Sequence, residues 1–428
     1  MRPPTVPPFD PPEPELTPQQ MIDRAIALRP LLKRTQGETE QRTYIVDEVH
    51  QACLDAGFYR LYVPRRYGGY EFDPATFMRV VLELARGDVS GAWCIALAAA
   101  HALQIASWWP REAQDEIFSG GDFRAASVAA PIGPAVRQGE AWELNGKVAY
   151  CSGIPISTHY MGQALIDEGN GRPSDRMLLF VAERDDFEIL DDWGALMGMK
   201  GTGSNAIVFD NARIPAHWVI EDALMVDFDV SGGTPGLELH GNPMYAGRAL
   251  CCFTMTLTAV AVGAAYQALD EYEQMLHNKL TPLPPMVPRL TDETFHRWFG
   301  SALAKIQTAE AALWGAAEQH REACRRAAED GIEYTYGEDQ RIGCIAREAV
   351  IQVWEVVQSE LFRTAGSSAA TDGTPFERVF RDMAMLNSHR NTVLREWAFG
   401  ELAREHLGLP RAGIGNVQRP HTLKPSIG

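Results

Sequence analysis

Two long stretches without a single formal charge, Gly91 to Trp109 and Ala249 to Leu269, constrain the fold of this 428-residue chain more than any other feature. Each has the length of a membrane-spanning helix, so each must be surrounded by lipid or by protein. Both are rich in Ala, Gly, Thr and Gln rather than Leu and Ile, and the first contains His101. Both also lie between amphipathic segments, whereas lipid-facing helices are more strongly apolar. Buried core helices of a helical protein are therefore expected, with no membrane partner. With 46% hydrophobic and 22% charged residues, the chain can fill one large domain or two to three ordinary ones.

Local signals divide the rest. Residues 1–15 are rich in Pro and acidic groups, where a signal peptide needs a basic start and an apolar core, and they read as an extended, partly disordered arm. Thr17-Pro18-Gln19-Gln20 has the capping-box pattern, so a helix starts there. A second helix ends near Gly57, and a third begins at Asp73-Pro74. The uncharged Gly91 to Trp109 segment forms a fourth, and Pro110 opens a short fifth. From Phe123 to about Pro215 the pattern changes to short alternating runs. Leu144-Asn145-Gly146-Lys147 predicts a tight hairpin turn, and Met177 to Ala182 and Ala206 to Phe209 predict strands. Beyond Asn242 four long helices are expected, at 245–277, 292–330, 339–365 and 375–407, with a Pro-rich break at Thr281 to Pro288. The expected class is α+β: an arm (1–15), an N-terminal helical domain (16–121), a middle β-domain (122–241) and a C-terminal four-helix bundle (242–428).

Charge and cysteines exclude some functions. A net charge of -17 and the lack of any long basic run disfavour nucleic acid. The seven cysteines include no CxxC pair and no His at zinc-finger spacing. They read as reduced thiols of a cytoplasmic protein, and no metal site is expected. The only nucleotide-type glycine motif is Gly201-Thr202-Gly203-Ser204-Asn205-Ala206, and the strand-like Ile207-Val208-Phe209 follows it where a dinucleotide site needs a helix. If the chain does redox chemistry, another protein must handle the pyridine nucleotide.

Five segments, in order, carry a resemblance: Gly57 to Tyr70 (GFYRLYVPRRYGGY), Arg79 to Gly91, Ser152-Gly153, Gly198 to Ser204 (GMKGTGS) and Val379 to His389 (VFRDMAMLNSH). Together they resemble the acyl-CoA dehydrogenase superfamily, and most closely its two-component flavin-dependent monooxygenase branch, which includes hydroxyphenylacetate and steroid-phenol hydroxylases. Dehydrogenases of this fold use a catalytic glutamate to remove a proton α to a thioester. Here Arg381-Asp382 is followed by no carboxylate until Glu396, and His389 stands where a base can sit.

The resemblance also suggests roles. His101 is one of very few polar side chains in its stretch, and burying it needs a partner or a cavity; the resemblance turns it toward substrate. Ser152 matches the serine that hydrogen-bonds the flavin N5 position, and Ser127 a second active-site serine facing substrate. His389 is equally compatible with a core histidine, since Met385, Leu386 and Val393 lie at helical spacing; the resemblance favours a catalytic role. Gly201, Thr202, Gly203 and Ser204 look like the loop where flavin meets the β-domain, with Lys200 where arginine is common. Trp193 can cover the isoalloxazine or fill the β-domain core. Gly366, Ser367 and Ser368 resemble the turn that reaches a neighbouring subunit's flavin phosphate, since small residues let backbone N–H groups approach an anion.

The implied protein takes reduced FMN or FAD from a separate flavin reductase and reacts it with O2 to a C4a-hydroperoxyflavin. It then hydroxylates a phenol-like small molecule, with His101 or His389 taking the substrate proton. Rivals are an N-oxygenase of an amine or amino sugar, an acyl-CoA dehydrogenase or oxidase, and a non-catalytic helical scaffold. A homotetramer is expected, because the Ala249 to Leu269 helix needs more burial than one bundle readily gives.

Overall fold

The computed structural model describes residues 8–169, 171–248 and 250–412. The N-terminal layer holds six helices: α1 (Pro18–Arg42), α2 (Asp47–Ala56), α3 (Pro74–Ala85), α4 (Val89–Ala100), α5 (Ala102–Trp108) and α6 (Arg111–Ile117). The capping box at Thr17 forms, with Thr17 and Gln20 each bonding the other's backbone N–H. Gly57 stops α2 at φ +80°, and Asp73 caps α3. Of the Pro-rich arm, residues 1–7 lie outside the described residues. Phe9 bridges to Tyr67, so the following part is tied to the helical layer.

The middle layer is one seven-stranded sheet: β1 (Ala125–Gln138), β2 (Ala141–Val148), β3 (His159–Asp167), β4 (Pro173–Glu183), β5 (Glu188–Ile189), β6 (Ile207–Pro215) and β7 (Val219–Glu221). Its order is β5-β6-β2-β1-β3-β4-β7, antiparallel except for the β1–β3 pair. A short helix, α7 (Pro235–His240), leads to α8 (Leu250–Asn278), α9 (Glu293–Arg325) and α10 (Tyr336–Val356). The single turn α11 (Arg363–Ala365) precedes α12 (Pro375–Asn387), α13 (Arg390–Val393) and α14 (Arg395–His406). α8 is the central helix, packed by α3, α9, α10 and α12.

Both uncharged stretches are core helices, 94% and 83% buried over their most apolar windows. Burial of α8 is therefore achieved within one chain, which removes the sequence argument for a tetramer; Ala249 itself lies outside the described residues.

Three local expectations change. Asn145-Gly146 is not a hairpin turn but lies inside β2, at a bulge against β6. The two-residue turn is Gly139-Glu140, with Gly139 at φ +64°. Asn145 is held by Asn211, whose backbone N–H donates to its Oδ1 at 2.8 Å, and Gly146 lets the backbone of Gly133 close in. The expected fourth helix is interrupted at His101, which ends α4 and precedes α5. The expected last helix breaks at Ser388-His389; His389 is extended (φ -62°, ψ 146°) and caps α13, so its neighbours are not at helical spacing.

Candidate active site at the meeting of the helical layers and the sheet

α4 is the buried helix on which the sheet and the C-terminal helices converge. Trp93, Leu97 and His101 fall on one face of it at four-residue spacing. The His101 ring is buried, with Nδ1 2.7 Å from the Ala125 carbonyl oxygen at the start of β1. A carbonyl only accepts, so Nδ1 carries the proton and Nε2 presents a lone pair. Burial pushes the imidazole down to about 4, against the hydrogen bond to Ala125. Ser127 sits two residues along the same strand, on the same face as Ala125, and Phe253 of α8 lies 5.9 Å from the His101 ring. The structure thus brings His101 and Phe253 together, while the Ser127 hydroxyl donates to Met225 Sδ at 3.6 Å.

His389 approaches the other end of α4, edge-on to Trp93 at 5.1 Å. Its Nδ1 accepts from the Asn391 backbone N–H at 3.2 Å, so the neutral ring carries its proton on Nε2. The residue is solvent-exposed on one side and packed by protein on the other, and desolvation by that protein, with the Arg390 charge, pushes the imidazole down to about 4. The two histidines therefore differ: His101 offers an acceptor and His389 a donor.

Ser152 lies in the loop after β2, against α4. Gly153 must be glycine there: it has φ +78°, and a Cβ would come within 2.7 Å of the Cys94 carbonyl. The Ser152 hydroxyl begins a chain, 2.8 Å to Ser204 Oγ, 2.6 Å on to Thr202 Oγ1 and 2.9 Å to the Met199 carbonyl. The carbonyl takes the Thr202 proton, so Ser204 donates to Thr202 and Ser152 donates to Ser204. Ser152 is left with only lone pairs to offer a ligand. Beside it Trp193, half-buried, donates to the same Met199 carbonyl at 3.3 Å and meets the exposed Tyr150 edge-on at 5.7 Å.

The glycines of the 198–204 loop serve packing. A Cβ on Gly198 would strike the Arg381 carbonyl, one on Gly201 would strike Thr39 and Ser90, and one on Gly203 would strike Pro155 and Tyr44. The loop is wedged between α1, α4 and α12. Asp382 of α12 accepts from the Met199 N–H at 2.5 Å and from the Ser90 hydroxyl at 3.1 Å, which joins all three layers at one buried carboxylate. Burial raises it to about 6. Lys200, Arg378 and Arg381 surround Glu40 at 2.9–3.1 Å.

The acyl-CoA dehydrogenase N-terminal domain matches residues 24–117, and the acyl-CoA dehydrogenase C-terminal domain matches residues 255–393. Together they span more than half of the chain.

The chain belongs to the acyl-CoA dehydrogenase family.

Within that family its place is in the flavin-dependent monooxygenase branch. The oxygenase subunit HsaA of a flavin-dependent monooxygenase from Rhodococcus jostii is 28% identical over 373 residues, covering 84% of this chain and 91% of that protein. The oxygenase component of p-hydroxyphenylacetate 3-hydroxylase from Acinetobacter baumannii is 23% identical, over 89% of this chain and 87% of its own length. XiaF from Streptomyces sp., solved in complex with FADH2 and glycerol, superposes with a TM-score of 0.84 at 23% identity, over 92% and 97% of the two chains.

The layers meet around α4, where His389 packs on Trp93, His101 bonds the start of β1, and Gly153 beside Ser152 packs on Cys94 and Ala98, with Ser204, Thr202 and Trp193 linked to Ser152 through the hydroxyl chain and the Met199 carbonyl. Gly201 and Gly203 sit against protein. Gly366, Ser367 and Ser368 are elsewhere: this exposed turn lies beyond the start of α12, while His389 follows its end, about 20 Å of helix away. Lys279 donates to Ser368 at 2.6 Å, and Arg289 to the Ala365 carbonyl at 2.9 Å, giving the turn a cationic border. Sequence reasoning missed Tyr150, Ser90 and the junction role of Asp382. Nothing local marks Tyr150, and Asp382 is conspicuous only once Met199, 183 residues away, is seen to bond it.

Proposed function

We propose that the protein is the oxygenase component that hydroxylates a phenol-like aromatic, taking reduced FMN or FAD from a separate reductase in the cytoplasm. The balance is substrate, O2 and reduced flavin giving hydroxylated product, water and oxidised flavin. Bound reduced flavin supplies the two-electron activation of dioxygen, which no side chain here can supply. The observation that carries the reading is the proton count along Ser152, Ser204, Thr202 and Met199. An acceptor-only Ser152 suits the ring N–H that a flavin has when reduced and lacks when oxidised. Trp193 and Tyr150 supply an aromatic ledge beside it, so the residues present fit a flavin ring.

At the other end, His101 Nε2 accepts a hydrogen bond from the substrate hydroxyl. With a pKa of about 4 it does not ionise a phenol in the ground state. It is in position when the hydroxyl becomes acidic as the ring reacts, which is when a base is needed. Ser127 and Phe253 fix the ring, and His389 offers its Nε2–H to developing negative charge. The exposed Gly366–Ser368 turn, a helix length from His389 along α12, is assigned to a flavin phosphate in a neighbouring subunit of a homotetramer.

The test has two arms. Spectroscopic titration under anaerobic conditions compares affinities for reduced and oxidised flavin, with the reduced form expected to bind more tightly. Mass spectrometry of phenols incubated with reduced flavin and labelled O2 detects one incorporated oxygen. Equal affinity for both redox forms, or label entering amines alone, overturns the reading.

A further inference from the structure

A second cluster of reactive side chains lies apart from these residues, where the first turn of α8 meets α9. Cys251, Cys252, His320 and Cys324 are all buried, none more than 4% exposed. His320 Nε2 is 3.2 Å from Cys252 Sγ and 3.5 Å from Cys324 Sγ, and Cys251 Sγ is 3.3 Å from His320 Nδ1. The Cys251 and Cys252 sulfurs and a His320 ring nitrogen all lie within 4.8 Å of one another.

Thiols are weak hydrogen-bonding groups, so three of them around one imidazole satisfy it poorly in a dry core. The ring is nevertheless fixed from behind. Its Nδ1 is 3.0 Å from the Tyr334 hydroxyl, which donates to Asp339 Oδ1 at 3.2 Å. The Tyr334 proton goes to the carboxylate, so His320 donates its Nδ1 proton to Tyr334 and turns the Nε2 lone pair toward Cys252 and Cys324. A histidine whose far nitrogen is committed to a carboxylate-linked partner is the usual arrangement behind a metal ligand.

We propose that Cys252, Cys324 and His320 Nε2 form a structural site for a thiophilic divalent cation, zinc being the best fit, with Cys251, whose Sγ lies on the Nδ1 side of the ring at 3.3 Å, turning in as the fourth ligand. Bonds of about 2.3 Å to sulfur and about 2.0–2.1 Å to nitrogen place tetrahedral S and N ligands about 3.5 Å apart, against 3.2 and 3.5 Å here. A site of four protein ligands closed to solvent is structural rather than catalytic. Two thiolates neutralise the ion, and the first turn of α8 favours negative charge on Cys251 and Cys252. The sequence showed no such spacing because the ligands come from two helices 68 residues apart. The site would pin Phe253, next to Cys252, against His101.

The full-length protein, purified without chelator, is expected to carry about one zinc per chain by elemental mass spectrometry. Cys252→Ser and Cys324→Ser should lose it. Because such variants can fail to fold, the wild type is also titrated with an organomercurial thiol reagent, with zinc release followed by a colorimetric chelator and helicity by circular dichroism. Release in step with loss of thiols, with a lowered Tm, supports the site. Wild-type protein that is helical, melts cooperatively and stays metal-free even after refolding with zinc alone overturns it in favour of a hydrogen-bonded thiol core. Neither outcome depends on flavin binding or on product formation.

Discussion

The hydroxyl chain from Ser152 to Met199 makes Ser204 a residue whose loss is felt at Ser152 rather than in the fold. Ser204→Ala removes the group that takes the Ser152 proton, leaving that hydroxyl free to turn and donate. The variant should lose about 1 kcal/mol of stability, and its preference for reduced over oxidised flavin should fall severalfold in paired titrations. An unchanged ratio would show that the chain does not orient Ser152. Ser152→Ala should fold, yet release more hydrogen peroxide per flavin oxidised, measured against product formed. At His101 the expected signature is a pH profile. For His101→Gln the loss of kcat/KM should be largest near neutrality and shrink as pH passes the phenol's own pKa of about 10, where the substrate ionises without help. A loss independent of pH would assign His101 to packing alone.

Among the elements, α1, α12 and the 198–204 loop are joined by charge. Burial alone would raise the Glu40 carboxyl, but hydrogen bonds from Arg381, Arg378 and Lys200 bring it down to about 2. A carboxylate lowered on folding stabilises above its unfolded pKa, and that contribution disappears as pH falls from about 4.5 through about 2. The shift corresponds to about 3 kcal/mol at most. Glu40→Gln should therefore cost about 2–3 kcal/mol at pH 7 in denaturant melts, with the gap to wild type closing toward pH 2. Asp88, which caps α4, has the opposite sign: burial, then the neighbouring Asp382, raises it to about 7. A raised acid favours folding while protonated and costs stability as pH climbs through that value. Asp88→Asn keeps a capping oxygen for the Gly91 N–H and should stabilise by about 1–2 kcal/mol at pH 8, the gain fading below pH 4. A variant less stable at pH 8 would show that the ionised form is needed.

For the whole molecule, α8 is satisfied inside one chain, so association must rest on other surfaces. The 280–290 segment exposes Leu280, Leu283, Met286 and Leu290 together, and Lys279 at its start reaches the Gly366–Ser368 turn. An apolar loop beside a small-residue, cation-bordered turn suits an interface at which one subunit touches another's flavin. Light scattering should give a tetramer at micromolar concentration. Leu283→Asp with Met286→Asp should shift it to smaller species and weaken flavin affinity together. A monomeric wild type would remove the neighbouring-subunit role for Gly366.

What the sequence determined by itself was whatever rests on nearest neighbours and on burial. The Thr17 capping box, the Gly57 and Asp73 helix limits and the core position of both uncharged stretches follow from local hydrogen bonding and the cost of exposing apolar surface. The ordered segments from Gly57 to His389 led to the family and so to the three-layer fold. Where one local signal served two geometries, the sequence misled. Asn145-Gly146 provides positive φ for a bulge as readily as for a turn, and only the approach of Gly133 and Asn211 decided which. The break that frees His389 from its helix, the proton direction that makes Ser152 an acceptor, and the sulfur-rich contact of α8 with α9 all depend on residues tens to hundreds of positions apart. Distances and donor directions across such separations are set by packing, which is why they became visible only in the folded chain.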